Sequence, residues 1–273
     1  MRILSWDIET SPIIAPVWGL WQNDIYYEHV LCNWHIICAS AKWLGEDEVI
    51  SIHPFNQRSC KVTFSNDWHN DYFLVARIHQ LLSEADVLVA HNGDRFDLKK
   101  FNARALFHGF DPIPPIPSID TLKVAKKHFK FDSNRLDYLG EFLGLGRKMS
   151  TPKGLWLDAI RGEEYSLHDP STKRIKEITK KQKKAIKIMS EYCDEDVRLL
   201  EKVYLRLRPY MTNHPNRNIF NDDDIDICPS CGSEGLIKRG FAVSRTGKKQ
   251  RYKCSDCATW CSAKKSIKNI NIR

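Results

Sequence analysis

Four cysteines constrain the C-terminal end of this 273-residue chain more tightly than any other feature. Cys228-Pro-Ser-Cys231 and Cys254-Ser-Asp-Cys257 form two CxxC pairs separated by 22 residues. Two such pairs supply four thiolates to one tetrahedral zinc ion. The segment 227–273 is too short to build a self-sufficient apolar core, so a structural metal is the expected staple. The chain has nine cysteines, five of them within 228–261. An odd total with tight pairs argues for a metal in a reducing compartment and against a disulfide framework. Cys32, Cys38, Cys60 and Cys193 are scattered and read as buried thiols, and Cys261 as a bystander.

Charge divides the chain at the same place. The tail 227–273 carries 11 Lys and Arg against 2 Asp and Glu, out of 42 and 34 in the whole chain, so 31 and 32 remain for 1–226. The positive excess therefore lies entirely in the tail, which suggests a polyanion partner there; a solubilising tail is the plainer alternative. The stretch 213–226 is polar, holds Pro215 and three consecutive Asp residues, and reads as a linker. No run approaches the ~20 apolar residues that span a bilayer. The first residues run into a strand with no apolar leader, so an intracellular protein is expected, cytoplasmic or nucleoid-associated, with no membrane partner.

Before the linker, the apolar pattern alternates between strand and helix. Strands are expected over 2–9, 34–44 and 48–53, the last two joined by Gly45-Glu46-Asp47. Apolar residues at helical spacing mark 72–83, a short continuous apolar run marks a buried strand at 86–90, and a helix over 95–107 closes at Gly109. The proline-rich 111–117 leads into a strand at 118–121, followed by helices over 122–129, 136–143 and 180–207. Three strands able to pair as a meander, then strands alternating with helices, give an α/β fold with a mixed sheet flanked by helices.

Acidic residues stand where this pattern asks for apolar ones. In Ile3-Leu4-Ser5-Trp6-Asp7-Ile8-Glu9, Asp7 and Glu9 share one face of a strand, ~7 Å apart. Two carboxylates that close repel unless something positive sits between them, and Mg²⁺ or Mn²⁺ prefers oxygen ligands; a solvent-exposed strand end is the alternative. Asp97 lies in the first turn of a helix after the strand end His91-Asn92-Gly93, where an acid also suits the helix dipole, and Asp94 reads as the N-cap. On the last long helix Asp196 sits at the edge of the stripe Met189, Cys193, Val197, Leu200 and Tyr204, on the same face as Tyr192. Asp194 points away from that stripe. A carboxylate facing a core needs a partner; a lysine from the neighbouring basic segment could serve.

These three segments, in this order, resemble the three exonuclease motifs of the DEDD superfamily of 3′→5′ exonucleases: Asp7-x-Glu9, then Asn92-x-x-x-Phe96-Asp97, then Tyr192-x-x-x-Asp196. Tyr192 marks the DEDDy branch. The resemblance covers 1–210 and implies an RNase H-like fold and a domain over 1–212. It implies two-metal hydrolysis of a phosphodiester to nucleoside 5′-monophosphates, with two Mg²⁺ or Mn²⁺ ions held by Asp7, Glu9, Asp97 and Asp196. One ion would activate water and the other would stabilise the leaving 3′-oxygen. Tyr192 would orient the water, and Asn92 and Phe96 would support the substrate. Asp120, in Ser118-Ile-Asp-Thr-Leu122, would be a supporting acid or an ordinary strand-end one.

The segment 227–273 resembles the zinc ribbons of transposases and of transcription or replication factors, with one structural Zn²⁺ on Cys228, Cys231, Cys254 and Cys257 and a hairpin around 245–249. Its charge, Tyr252 and Trp260 favour nucleic acid over a protein partner. Lys and Arg residues over 173–187 could also grip a nucleic-acid backbone, or simply form a solvated helix face. The expected activity is 3′→5′ hydrolysis of single-stranded or frayed DNA. RNA as substrate, or an inactive nucleic-acid-binding adaptor, are the alternatives. A polymerase or another replication protein is a second expected partner.

Overall fold

The computed structural model describes residues 1–21, 24–55, 70–161, 180–220, 226–245 and 247–269. Cys60 and the basic residues 173–179 lie outside them.

Strand β1 (Ile3–Thr10) is the centre of a five-stranded sheet ordered β3-β2-β1-β4-β5. β2 (Ile36–Trp43) and β3 (Ile50–Ile52) continue from it antiparallel, while β4 (Val87–Ala90) and β5 (Ser118–Asp120) run parallel to it. The mixed sheet expected from the order of elements is therefore present, and so are the expected helices: α1 (Tyr72–Ser83), α2 (Asp97–Phe107), α3 (Thr121–His128), α4 (Leu136–Phe142) and α6 (Lys180–Leu207). The short helix α5 (Leu155–Arg161) was not expected.

Alternation along β1 sorts the two faces of the sheet. Leu4, Trp6 and Ile8 are buried in a core with Phe73, Ile78, Leu82 and Phe101 from α1 and α2. Ile3 is buried on the opposite side with Leu199, Leu200, Val203 and Tyr204 of α6. By the two-residue period of a strand, Ser5, Asp7 and Glu9 share Ile3's side, facing α6. Burying the Trp6 and Phe101 rings, which meet edge to face at 6.3 Å, contributes on the order of 2–3 kcal/mol each.

The C-terminal unit is a second, smaller sheet: β6 (Leu236–Ser244) pairs with β7 (Gly247–Cys254), which also pairs with β8 (Trp260–Ser262) and β9 (Lys268–Asn269). The hairpin falls where it was expected. Within the stretch read as a linker, His214 stacks on Tyr204 and shares a hydrogen bond with its hydroxyl at 2.8 Å. Asn218 pairs with the backbone of Ile227 in both directions, at 2.7 and 3.0 Å. No helix among the described residues is long and apolar enough to cross a membrane.

Candidate active site and metal centres

Three separate parts of the chain deliver the acids to one edge of the sheet. Asp7 lies opposite Ser40 and Glu9 opposite Cys38, and the β1–β2 register shifts between Glu9 and Thr10. Such an irregularity ends pairing and re-aims side chains beside a site. Asp196 arrives on α6, 3% exposed. One carboxylate oxygen from each of Asp7, Glu9 and Asp196 lies within 4.8 Å of the other two.

Asp97 completes the arrangement differently. It opens α2, is 3% exposed, and accepts the Ile8 backbone N–H at 3.2 Å, so it is clamped to β1 between the two strand acids. It does not belong to the tight trio. The turn before it is specified by two residues. Asn92 adopts a left-handed φ of 68°, a conformation Asn tolerates better than most. At Gly93 a Cβ would lie 2.3 Å from the Ala90 Cβ, so any larger residue would push α2, and with it Asp97, off the strand. Phe96 is 41% exposed beside the acids.

Like charges and burial act together here. Burial, and then the charges of Asp97, Glu9 and Asp196, hold the Asp7 carboxyl well above the usual range. Glu9 is pushed up to about 7 by burial and by Asp196, and Asp97 to about 6, chiefly by burial. Burial raises Asp196 as well, against the pull of Lys148. Among the described residues, the Oδ1 atom of Asp196 is buried with no hydrogen-bond partner. An unsatisfied buried carboxylate oxygen amid three other acids is costly unless a cation reaches it. The oxygen-only donor set suits a hard divalent ion.

Lys148 was not foreseen. Its ammonium lies 2.5 Å from Asp196 Oδ2 and donates to the Tyr192 hydroxyl at 2.8 Å. Burial opposes this charge, but Asp196 and Tyr192 outweigh it and raise the lysine's pKa. Among the described residues, the partner of Asp196 is thus on a loop more than 40 residues upstream rather than on the adjacent basic segment. That loop is fixed by α4: Asp137 accepts the Lys148 backbone N–H at 2.8 Å, and Arg147 bridges Asp137 and Glu141 at 3.1 and 3.3 Å. Gly140 permits the approach, since a Cβ there would meet Gly146 O at 2.6 Å and Leu199 at 2.9 Å. No periodicity marks a loop lysine, and only the missing countercharge for Asp196 pointed to one.

Other expectations need correction. Asp94 does not cap α2; its carboxylate binds Ser118 and Lys123 at 2.5 and 2.6 Å. Asp194, off the apolar stripe of its helix, accepts the Ser40 hydroxyl at 2.5 Å, because α6 lies across β2 as well as β1. Asp120 is the N-cap of α3 and also accepts the Asn92 N–H at 2.9 Å, so it supports the turn before Asp97. Cys38 and Cys193 are fully buried, whereas Cys32 is only partly so. The Cys193 thiol lies 3.6 Å from both the backbone and a carboxylate oxygen of Asp7.

Tyr192 is half-buried beside Asp196, its ring edge-on to Trp156 at 6.2 Å. Burial first, and then Asp196, push its hydroxyl up to about 12, so it stays protonated and able to donate.

In the small sheet, the Cys228, Cys231, Cys254 and Cys257 sulfurs all lie within 4.8 Å of one another, with Cys228–Cys257 and Cys231–Cys254 separations of 3.6 Å. A tetrahedron with metal–sulfur bonds of about 2.3 Å has edges of about 3.8 Å, whereas a disulfide would need about 2 Å. The cluster can therefore hold a metal ion. Cys261 stands outside it, its thiol pushed up to about 11 by burial and by the neighbouring cysteines.

Comparison with a known protein family agrees with this architecture. A DNA polymerase III PolC-type of Ureaplasma parvum is 30% identical over 138 residues, which are 48% of this chain but only 9% of that protein. The chain thus spans less than a tenth of that relative. A solved family B DNA polymerase from the archaeon Pyrobaculum calidifontis superposes with a TM-score of 0.48 at 15% identity, over 77% of this chain and 25% of that one. Residues 44–208, more than half of the sequence and including Asp97, Lys148, Tyr192 and Asp196, match one family, and the chain belongs to that family, the RNase_H superfamily.

Proposed function

We propose that this protein is a metal-dependent 3′→5′ exonuclease of the DEDDy type that hydrolyses single-stranded or frayed DNA to nucleoside 5′-monophosphates. The observation that carries the reading is the meeting of Asp7, Glu9 and Asp196 within 4.8 Å, with Asp97 fastened to the strand between the first two. Acids from β1, α2 and α6 have no structural reason to crowd at one edge at the cost of raised pKa values. Perturbed carboxylates gathered in this way are a signature of function.

Asp7, Glu9, Asp97 and Asp196 would hold two Mg²⁺ or Mn²⁺ ions. Bound there, such ions supply the positive charge that polarises a phosphodiester and eases deprotonation of water. The chain's own groups do the rest. The Tyr192 hydroxyl, held by Lys148, is placed to fix the attacking water beside Asp196. Lys148 keeps a second donor direction for a phosphate oxygen once Asp196 is engaged elsewhere. Phe96, exposed at the start of α2, offers a ring to the terminal base, and Asn92 sets the turn that carries it.

The segment 227–273 acts as a zinc ribbon, with one Zn²⁺ on its four cysteines, tethered through 213–226 to an exonuclease domain over 1–212. Its hairpin sets Arg251 and Lys253 at 4.9 and 6.0 Å from the Trp260 ring, a surface suited to stacking and phosphate contact. A polymerase-associated role is supported by the polymerase relative, and DNA is preferred over RNA on the same ground. The test is incubation with end-labelled single-stranded DNA and RNA, with Mg²⁺, with Mn²⁺ and with chelator. Stepwise shortening from the 3′ end that needs metal supports the reading. Strand binding without metal-dependent shortening would leave a nucleic-acid-binding adaptor instead.

A further inference from the structure

We propose that the cleft walled by Trp34, Tyr72 and Phe107 is a second nucleic-acid subsite, which stacks a base of the substrate strand several nucleotides from the scissile phosphate. The proposal rests on the nuclease reading above and names where the body of its substrate lies.

Position is the first argument. Trp34 and His35 lead into β2, whose Ile36 pairs with Thr10, the residue after Glu9. The cleft, about 420 Å³, therefore opens at the same sheet edge as the acids. Helix α2 joins the two places, with Asp97 at its start and Arg104 and Phe107 farther along. At 1.5 Å per residue these lie roughly 10–15 Å from Asp97. That span matches about three or four stacked nucleotides at 3.4 Å each.

Chemistry is the second. Phe107 is 72% exposed, and Tyr72, backed on one side by Phe110 at 5.1 Å, is 40% exposed. The Arg104 guanidinium lies 4.4 Å from the Phe107 centroid and 5.9 Å from that of Trp34. The Lys100 ammonium stands 3.6 Å over Trp34 and 5.8 Å from Phe96, between the cleft and the acidic site. Bases stack on aromatic rings and on guanidinium planes, and an interleaved ammonium meets the phosphates between them.

Rigidity is the third. Arg104 is 9% exposed and grips Asp71 through Nε and Nη2 at 2.8 and 2.5 Å. Asp71 also accepts the Ile36 N–H at 2.8 Å and shares a hydrogen bond with His108 at 2.6 Å. A buried ion pair gives little net stability. What this one does is fix the guanidinium plane beside the exposed Phe107 ring and cancel its charge, so that Arg104 backs that ring rather than offering a free cation to a phosphate. Polar amides, Asn33 and Asn70, close the rim, which suits the edge of a base better than an apolar peptide side chain.

The experiment uses the full chain and its Phe107→Ala, Phe107→Trp and Lys100→Ala variants, none of which alters an acid or Tyr192. Binding of a fluorescent single-stranded hexanucleotide is read by anisotropy without added divalent metal. KM and kcat are then read on strands of two to eight nucleotides with Mn²⁺. Phe107→Ala should weaken hexamer binding about 5- to 100-fold, the range expected for one stacked base. It should raise KM only for strands longer than about three nucleotides, with kcat and the dinucleotide unchanged. Phe107→Trp should restore both. Lys100→Ala should weaken binding and flatten its salt dependence. Equal hexamer binding by wild type and Phe107→Ala, or an equal KM increase on dinucleotide and octamer, would overturn the subsite. A binding loss in a protein that hydrolyses nothing would keep the subsite and remove the nuclease reading.

Discussion

The acidic site and the cysteine cluster are the same problem solved in opposite ways. Each gathers four groups that repel when ionised. The sulfurs converge as a closed set at tetrahedral spacing that can hold a metal ion, and they come from one hairpin unit of fewer than fifty residues. The carboxylates form an open set: three within 4.8 Å, a fourth held aside by Ile8, and a lysine and a tyrosine leaning over the same edge. Closed sets stabilise a fold, whereas open sets keep coordination positions for substrate and water. Removing one ligand should therefore cost structure in one case and chemistry in the other.

Asp7→Asn or Asp196→Asn provides the sharpest contrast. Either should lower exonuclease turnover by on the order of 10³-fold or more, since the charge that holds the metal is lost. The same change relieves like-charge repulsion, so the metal-free melting temperature should hold or rise, by roughly 2–4 °C per kcal/mol relieved. Cleavage at the wild-type rate would break the comparison on its catalytic side.

Cys254→Ser should do the reverse. Zinc content, measured on protein purified without chelator, should drop from about one per chain, and amide exchange across β6 and β7 should become fast. Turnover of a short strand should stay near wild type, because every acid lies before the linker. Deleting 227–273 should likewise spare short strands while weakening long ones and flattening their salt dependence. A folded, zinc-free hairpin in Cys254→Ser would show that the sulfurs merely happen to converge.

Tyr192→Phe should slow single-turnover cleavage by about 10²-fold and leave metal affinity unchanged. Lys148→Met should reproduce part of that loss, because Lys148 holds the hydroxyl at 2.8 Å. An unchanged rate in Tyr192→Phe would reduce that ring to a packing partner of Trp156.

The smallest effect concerns pH. Glu9 at about 7 and Asp97 at about 6 sit above the usual carboxylate range. The folded state thus binds protons more tightly than the unfolded one, and the stability this contributes is complete only below the unfolded pKa, near 4. It is lost as pH rises through 6 and 7. Metal-free protein should melt progressively lower between pH 5 and pH 8, and added Mn²⁺ should raise the pH 8 value most. A flat profile without metal would mean the acids are already relieved by solvent.

Local pattern made much of this legible. Asp7 and Glu9 interrupt an alternating strand, Tyr192 and Asp196 share a helix face, and two CxxC pairs mark a cluster that can hold a metal; each signal is carried within ten residues or by the spacing of the two pairs. The boundaries of α1 and α6 followed from a 3.6-residue period sustained over several turns. The short helix α5 escaped notice, whereas α4, also of seven residues, did not.

What the sequence determined by itself was the kind of groups present and the element that carries each. What the tertiary structure decided was which of them meet. Lys148 reaches Asp196 and Tyr192 across more than 40 residues because Gly140 lets α4 approach α6 and Asp137 pins the intervening loop. Asp97 stands slightly apart because its oxygen is engaged by the Ile8 N–H. Asp94, Asp120 and Asp194 look no different from these acids in sequence, yet they serve a salt bridge, a helix cap and a contact to β2. The physical reason is that a carboxylate's role depends on which donors and charges lie within a few ångströms, and those neighbours are set by packing between distant segments rather than by the order of residues along the chain.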